Sequence, residues 1–242
     1  MDGITLDISD RKRIETTIQQ QAQQEQALNR VVQVIRQSLD LATIFTTAAR
    51  EVAELLHLGE VAIVQYYPDE ACWRHVAAYR RDFRLPNRTH EEIPDRDNPL
   101  AERLKQREFV LIENAASLTD PTNEALAQDS PGSWLLMPLV VNNTVWGSLS
   151  SIKFPEPVSY TGTEIELIQR IADQVAIAIH QAQLYTQLQA SEIRFQHLVA
   201  NLPGTIFRYV IRPDGTSYVA YISPNAHQIW GVDKARIEQD VS

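Results

Sequence analysis

Two stretches of 4-3 apolar spacing, one toward each end, commit this 242-residue chain to long helices flanking a central domain. The first runs through Ile14, Ile18, Gln21, Glu25, Leu28, Val32, Ile35 and Leu39. The second runs through Ile177, Gln181, Leu184, Leu188, Ser191, Phe195, Leu198 and Leu202. In each, six of the eight positions are apolar, which is coiled-coil spacing. An apolar row of this period needs a cover, and a parallel copy of the same helix supplies one. Ile14, Ile18, Leu28, Val32, Ile35, Leu184, Leu188 and Phe195 are the expected dimer contacts. The competing expectation is an amphipathic helix packed on its own domain. Gln21 and Glu25 interrupt the first seam, and a polar seam trades stability for register.

Between the seams the pattern changes to strands. Asp40 is the expected N-cap for a helix over Leu41–Leu56, with Gly59 as its stop. Two β-rich runs, Val61–Tyr67 and Trp73–Tyr79, are joined by a hairpin-like Pro68-Asp69-Glu70-Ala71-Cys72. A short helix at Ala101–Gln106 and a strand at Phe109–Ile112 follow, then a polar stretch, Glu113–Ser133, read as loop with at most one helical turn. Strands at Trp134–Val141 and Val145–Phe154 flank Asn142-Asn143-Thr144, a second hairpin. Thr161 or Thr163 starts the last long helix, and Pro203-Gly204 breaks it. Helices enclosing an antiparallel sheet make an α+β fold.

Charge excludes some functions. The net charge of −9 lacks the clustered Lys and Arg that nucleic acid needs, and Arg11-Lys12-Arg13 and Arg80-Arg81 are short runs. No apolar run approaches the ~20 residues that cross a bilayer, so no membrane contact is expected. A single cysteine, Cys72, forms no internal disulfide and fits a reducing cytoplasm.

The stretch Val140-Val141-Asn142-Asn143-Thr144-Val145-Trp146-Gly147-Ser148-Leu149 resembles the closing hairpin of GAF domains, with Asn143 where that family often has Gly. The resemblance covers residues 40–180 and implies a GAF-type antiparallel sheet with flanking helices. Asp7-Ile8-Ser9-Asp10-Arg11-Lys12 resembles the exit of a PAS domain, which implies a PAS end over residues 1–9 and a linker helix over 10–39. The tail, with Asn201-Leu202-Pro203-Gly204 and Arg212-Pro213-Asp214-Gly215, resembles a PAS entry. It implies a linker helix over 181–202 and the first part of a second PAS domain over 203–242.

Within the GAF resemblance, phytochrome-like relatives hold a thioether-linked bilin through a Cys, usually in a Cys-His pair. Here the pair reads Cys72-Trp73, and the segment with the attachment Cys is missing between Glu113 and Trp134, so no covalent bilin and no other cofactor is expected. The resemblance and strand alternation put Trp134, Leu136 and Pro138 on the pocket side of one strand, and Ser148, Ser150 and Ile152 on that of the next. Tyr66, His75 and Glu92 complete the expected ligand-binding set, Glu92 standing where that family has the Asp of Asp-Ile-Pro. Bulky Trp134 is expected to fill the cavity. Arg80, Arg81 and Arg84 offer charge for a cyclic phosphate, although the cyclic-nucleotide residue set of the family is not found.

No catalytic constellation is expected: there is no ATP lid, Walker loop or nucleophile elbow, and a lone thiol has no resolving partner. His57, His75, His90, His180, His197 and His227 show no metal-ligand spacing, so no metal is expected. The resemblance implies a cytoplasmic signal-transduction module of a two-component, sensor histidine kinase-like protein. Its expected partners are a second copy in a parallel homodimer and neighbouring PAS and kinase domains. A small-molecule-binding GAF sensor, for a cyclic nucleotide or noncovalent tetrapyrrole, is the alternative.

Overall fold

Asp40 sets the first boundary. Its carboxylate accepts from the backbone N–H groups of Ala42 and Thr43, both at 3.2 Å, and so caps α2 (Leu41–Leu55). In this computed structural model the described residues are 9–201, 204–223 and 226. The chain divides into two compact units, Met1–Ala182 and Gln183–Ser242.

The first unit carries α1 (Ser9–Gln37), α2, and a six-stranded sheet built from β1 (Glu60–Tyr67), β2 (Cys72–Arg80), β3 (Glu92–Pro94), β4 (Val110–Ile112), β5 (Ser133–Val141) and β6 (Thr144–Lys153). The strand order is β3-β2-β1-β6-β5-β4, and every neighbouring pair is antiparallel. The short α3 (Pro99–Lys105) and α4 (Pro121–Asp129) lie in the connections, and α5 (Gly162–Asn201) follows the sheet. The turn between β5 and β6 is a two-residue loop in which Asn142 and Asn143 adopt φ of 48° and 65°. Paired positive φ values are the hairpin conformation that Asn accepts at low cost.

Alternation along the strands splits the core in two. On one face Val61, Ile63, Leu135, Met137, Leu139 and Leu149 pack against Ile44, Phe45, Ala48 and Val52 of α2 and Ile168, Ile171 and Val175 of α5. On the other, Ala62, Val64, Trp73 and Trp134 pack against Leu100, Ala101 and Leu104 of α3 and Ala127 of α4. Each fully buried Leu, Ile or Val contributes about 1.5–3 kcal/mol, so both layers hold the sheet. The start of α5 is a reciprocal cap: the Thr161 N–H donates to Glu164 at 2.7 Å, and the Glu164 N–H donates to the Thr161 hydroxyl at 3.3 Å. Lys153 at the end of β6 pairs with Glu164 at 2.8 Å and ties that helix start to the sheet.

Several expectations are corrected. The 113–133 stretch is not mostly loop: it holds a 3₁₀ turn, Ala115–Ser117, and the two-turn α4, which Asp120 caps through the Asn123 N–H at 3.0 Å. The strand β3 was not expected. At Leu58–Gly59 the chain turns after a left-handed His57, while Gly59 is required by close approach, since a Cβ there would meet the Phe154 Cβ at 2.7 Å. Ile35 is buried in its own chain's core and Leu28 packs beside it, so those seam positions of α1 are covered intramolecularly. Glu25 pairs with Arg170 of the same chain at 2.9 Å.

The second unit contains the last part of α5 and a hairpin, β7 (Phe207–Ile211) with β8 (Ser217–Ile222), turning through Arg212-Pro213-Asp214-Gly215. Of the PAS end expected over residues 1–9, all but Ser9, which begins α1, lies outside the described residues, as does most of the chain after Ser223. Among the described residues no helix is long and apolar enough to cross a membrane.

Candidate functional site

The register of the sheet brings three cross-strand rows to the α3–α4 face. His75, Val64 and Ser148 form one row. Ala62, Ser150 and Leu136 form the next, and Glu60, Ile152 and Trp134 the third. The helices α3 and α4 roof this floor, and between them lies a cavity of ≈ 90 Å³.

The roof is locked by a satisfied polar network. The Asn98 side-chain oxygen accepts from the Ala101 N–H at 3.1 Å and caps α3. The Asn123 amide donates to that same oxygen at 2.9 Å and to Asp120, the cap of α4, at 2.8 Å. Asn98 donates in turn to the Pro94 carbonyl at 3.0 Å. At the β2–β3 side, Asp95 accepts from the Trp73 indole at 2.9 Å, from Lys105 at 2.9 Å and from the Tyr66 hydroxyl at 3.3 Å. Burial pushes the Asp95 carboxyl up, but these donors outweigh it and hold the group below the ordinary carboxylate range. Trp134 donates its indole N–H to the Ser130 carbonyl at 2.8 Å. That bond holds the buried ring in the wall, beside the small space that remains.

Three ionisable side chains face this space. Glu60 is 5% exposed, and burial pushes its carboxyl up to about 7 against the pull of Arg80 and Arg88. His75 is 6% exposed, and burial together with the Arg88 charge lowers its ring to about 4. Its Nδ1 has no hydrogen-bond partner. Arg88 is anchored from outside by Glu91 at 2.6 Å and Asp129 at 3.4 Å.

Of the expected site residues, His75, Trp134, Leu136, Ser148, Ser150 and Ile152 line the cavity. Tyr66 and Glu92 do not. Tyr66 stacks on Trp73 with ring centroids 4.7 Å apart. Glu92 is exposed and pairs with Arg74 at 2.7 Å. Sequence reasoning missed Glu60, Trp73, Arg88, Asn98 and Asn123, which also line the space. Glu60 shares the strand parity of Ala62 and Val64, the one signal that marks it. Two of the three arginines considered for a cyclic phosphate are engaged elsewhere: Arg80 donates to the Leu85 carbonyl at 3.2 Å, and Arg84 pairs with Asp82 at 2.7 Å; none of the three lines the cavity. Cys72 alternates to the opposite side of β2 from Trp73 and His75, and burial pushes its thiol up. Ligand atoms of Glu70, Cys72 and Glu92 come within 4.8 Å of one another, but Arg74 already occupies both carboxylates.

An antiparallel sheet covered by helices on both faces, with a small roofed cavity on one, defines an α+β domain. The chain belongs to the GAF domain family, whose profile matches residues 40–179. It is similar to the circadian input-output histidine kinase CikA of Synechococcus elongatus, at 27% identity over 198 residues, 73% of this chain and 26% of the relative. CikA of Thermosynechococcus vestitus is 25% identical over 189 residues, 73% of this chain and 26% of the relative. The chain thus spans about a quarter of the length of the curated relatives it matches. Among solved structures it resembles the phycocyanobilin-bound GAF domain from a cyanobacterial phytochrome, at 29% identity and a TM-score of 0.59, covering 67% of this chain and 96% of that one. The phycoerythrobilin-bound GAF domain from a cyanobacterial phytochrome matches at 27% identity and 0.59, covering 67% and 97%. This is a sensory signalling domain related to those of histidine kinases and phytochromes.

Proposed function

We propose that this chain is the signal-relay segment of a larger sensor histidine kinase-like protein. In this reading it pairs in parallel with a second copy and passes conformational changes between neighbouring PAS and kinase domains through its flanking helices. The observation that carries the reading is the exposed part of the two apolar rows. Ile14 and Ile18 on α1 are 60% and 59% exposed, and Leu188 on α5 is 65% exposed, beside exposed Leu184, Phe195 and Leu198. Rows of large apolar side chains at 4-3 spacing are what a second helix covers. Because Ile35 and Leu28 are covered at home, the intersubunit seam on α1 is its N-terminal half, with half-buried Val32 at its limit. A rotation or register shift of such stiff helices carries a signal without chemistry.

Single cysteines placed at Ile18 and, separately, at Leu188 are expected to give symmetric disulfide-linked dimers under mild oxidation. A chain that stays monomeric by mass and gives no linked species at either position would sink the relay.

The domain in this reading carries no covalent bilin. In support, Cys72 does not line the cavity, and ≈ 90 Å³ falls well short of the roughly 300–1,000 Å³ of ordinary ligand pockets. The residues present therefore do not fit a tetrapyrrole. Protein purified from cells that make bilins and haem is expected to be colourless beyond its aromatic absorption. A visible band retained on denaturation would overturn this. A second reading, a small-molecule sensor, is favoured by Glu60 and the partnerless Nδ1 of His75 at the cavity.

A further inference from the structure

We propose that Arg88 is a gate: its side chain separates the cavity under α3 and α4 from an open cleft beside β3 and α4, and its swing opens the cavity to solvent. Access of any occupant then depends on two exposed ion pairs. The proposal goes beyond the relay reading and does not depend on it.

Arg88, Ile93 and Leu126 line two spaces at once. On the inner side lies the ≈ 90 Å³ cavity walled by Trp134. On the outer side lies a cleft of ≈ 290 Å³, edged by Pro94, Thr122 and Ala125. The partition between them is therefore a single layer of side chains. Ile93 belongs to β3 and Leu126 to α4, elements tied into the sheet and the roof. Arg88 alone comes from a connection, residues 81–91 between β2 and β3.

The backbone of this connection is pinned. The Arg88 carbonyl accepts from the Glu91 N–H at 2.8 Å, and the His90 N–H donates to the His75 carbonyl at 3.1 Å. The Asn87 side chain accepts from the Thr89 N–H at 3.2 Å. The guanidinium is held more lightly: among the described residues its ion pairs are with Glu91 at 2.6 Å and Asp129 at 3.4 Å. The Arg88 side chain is 10% exposed while both carboxylates are exposed, so it reaches outward to anchors that stand in water. Exposed ion pairs are weak, and a rotamer change of this one side chain breaks both without moving a strand. Asp129 is placed for this role and not for its own helix. It is the last residue of α4, where a negative charge meets the negative end of the helix dipole. The pair with Arg88 is the one contact its carboxylate makes among the described residues.

Hydrogen exchange of the Trp134 indole N–H, followed by NMR of the full chain in deuterated water, reads the gate. Asp129→Asn keeps the size and removes the charge, and is expected to speed that exchange about twofold to fivefold, the worth of one exposed pair. It should leave the urea midpoint and the slow backbone amides of β1 and β6 unchanged. Arg88→Ala removes both pairs and the gate itself while leaving α4 unaltered, and should speed exchange at Trp134 at least about tenfold. Loss of that cation lowers the local hydroxide that catalyses exchange, so the acceleration cannot be an effect of the field. If Arg88→Ala fails to fold, Asp129→Asn decides alone. Unchanged exchange at Trp134 in the folded variants, or an equal acceleration in the β1 and β6 amides, would make Arg88 a surface clasp and overturn the proposal. Cross-linking at Leu188 reads the relay separately, so a dimer with an unmoved Trp134 loses only the gate.

Discussion

Replacing Glu60 by glutamine is expected to stabilise the domain at pH 8 by as much as about 3 kcal/mol, in spite of removing a charged residue. The unfolded chain ionises this carboxyl near 4.5, whereas in the fold burial pushes it up to about 7. Between those values the folded state holds the extra proton, so stability falls as pH rises, and each pKa unit is worth about 1.4 kcal/mol. Glutamine keeps the size and discards the penalty. His75 works in the opposite sense. Its unfolded value is 6.5 and its folded value about 4, so the unfolded chain holds the extra proton and stability rises with pH across that window. The two slopes overlap and oppose one another, which leaves the unaltered protein nearly flat from about 4.5 to 6.5. Glu60→Gln should unmask the His75 slope alone. Urea midpoints at half-unit pH steps measure it, and superimposable profiles for the two proteins would refute the buried-acid reading of Glu60.

Gly147→Ala is the second large effect expected, a loss of about 3 kcal/mol or more. Gly147 lies on β6 opposite Gln65 of β1, at the centre of the sheet. A Cβ there would stand 2.2 Å from the Val64 carbonyl oxygen and 3.0 Å from the Gln65 Cα. Both obstacles are backbone, so relief requires prising β1 from β6. The preceding Trp146 packs its ring 5.5 Å from Phe45, which pins the strand from the other side. Chemical denaturation gives the answer. A variant within about 0.5 kcal/mol of the parent would show that the sheet yields at this point far more easily than its pairing suggests.

The sheet and its flanking helices were legible because each announces itself locally: Asp40 as a cap, the Asn-Asn turn, and alternation along β5 and β6. That alternation, together with the resemblance of the Trp146-Gly147 hairpin, assigned Trp134, Leu136, Ser148, Ser150 and Ile152 to one face, where the structure lines the cavity with them. Glu60 escaped because Val61-Ala62-Ile63-Val64 is apolar at every position, as befits a strand covered on both faces, and such a run hides its parity. The helix α4 escaped because its pattern is weak. It buries only Asn123 and Ala127, and Asp120-Pro121, a cap followed by a first-turn proline, was its only strong mark. The seam of α1 shows a different limit. Spacing reveals that an apolar row exists but not which molecule covers it, and Ile35 turned out to face its own core.

The lone thiol has a practical corollary. Cys72 is buried beside the turn of the β1–β2 hairpin, and its burial disfavours the reactive thiolate. The native thiol is therefore expected to react slowly with maleimides and thiosulfonates. A fluorophore or spin label introduced at Leu188 or Ile18 would report from one address without deleting any native residue's cysteine first, and distances between two such labels become readable in the intact protein.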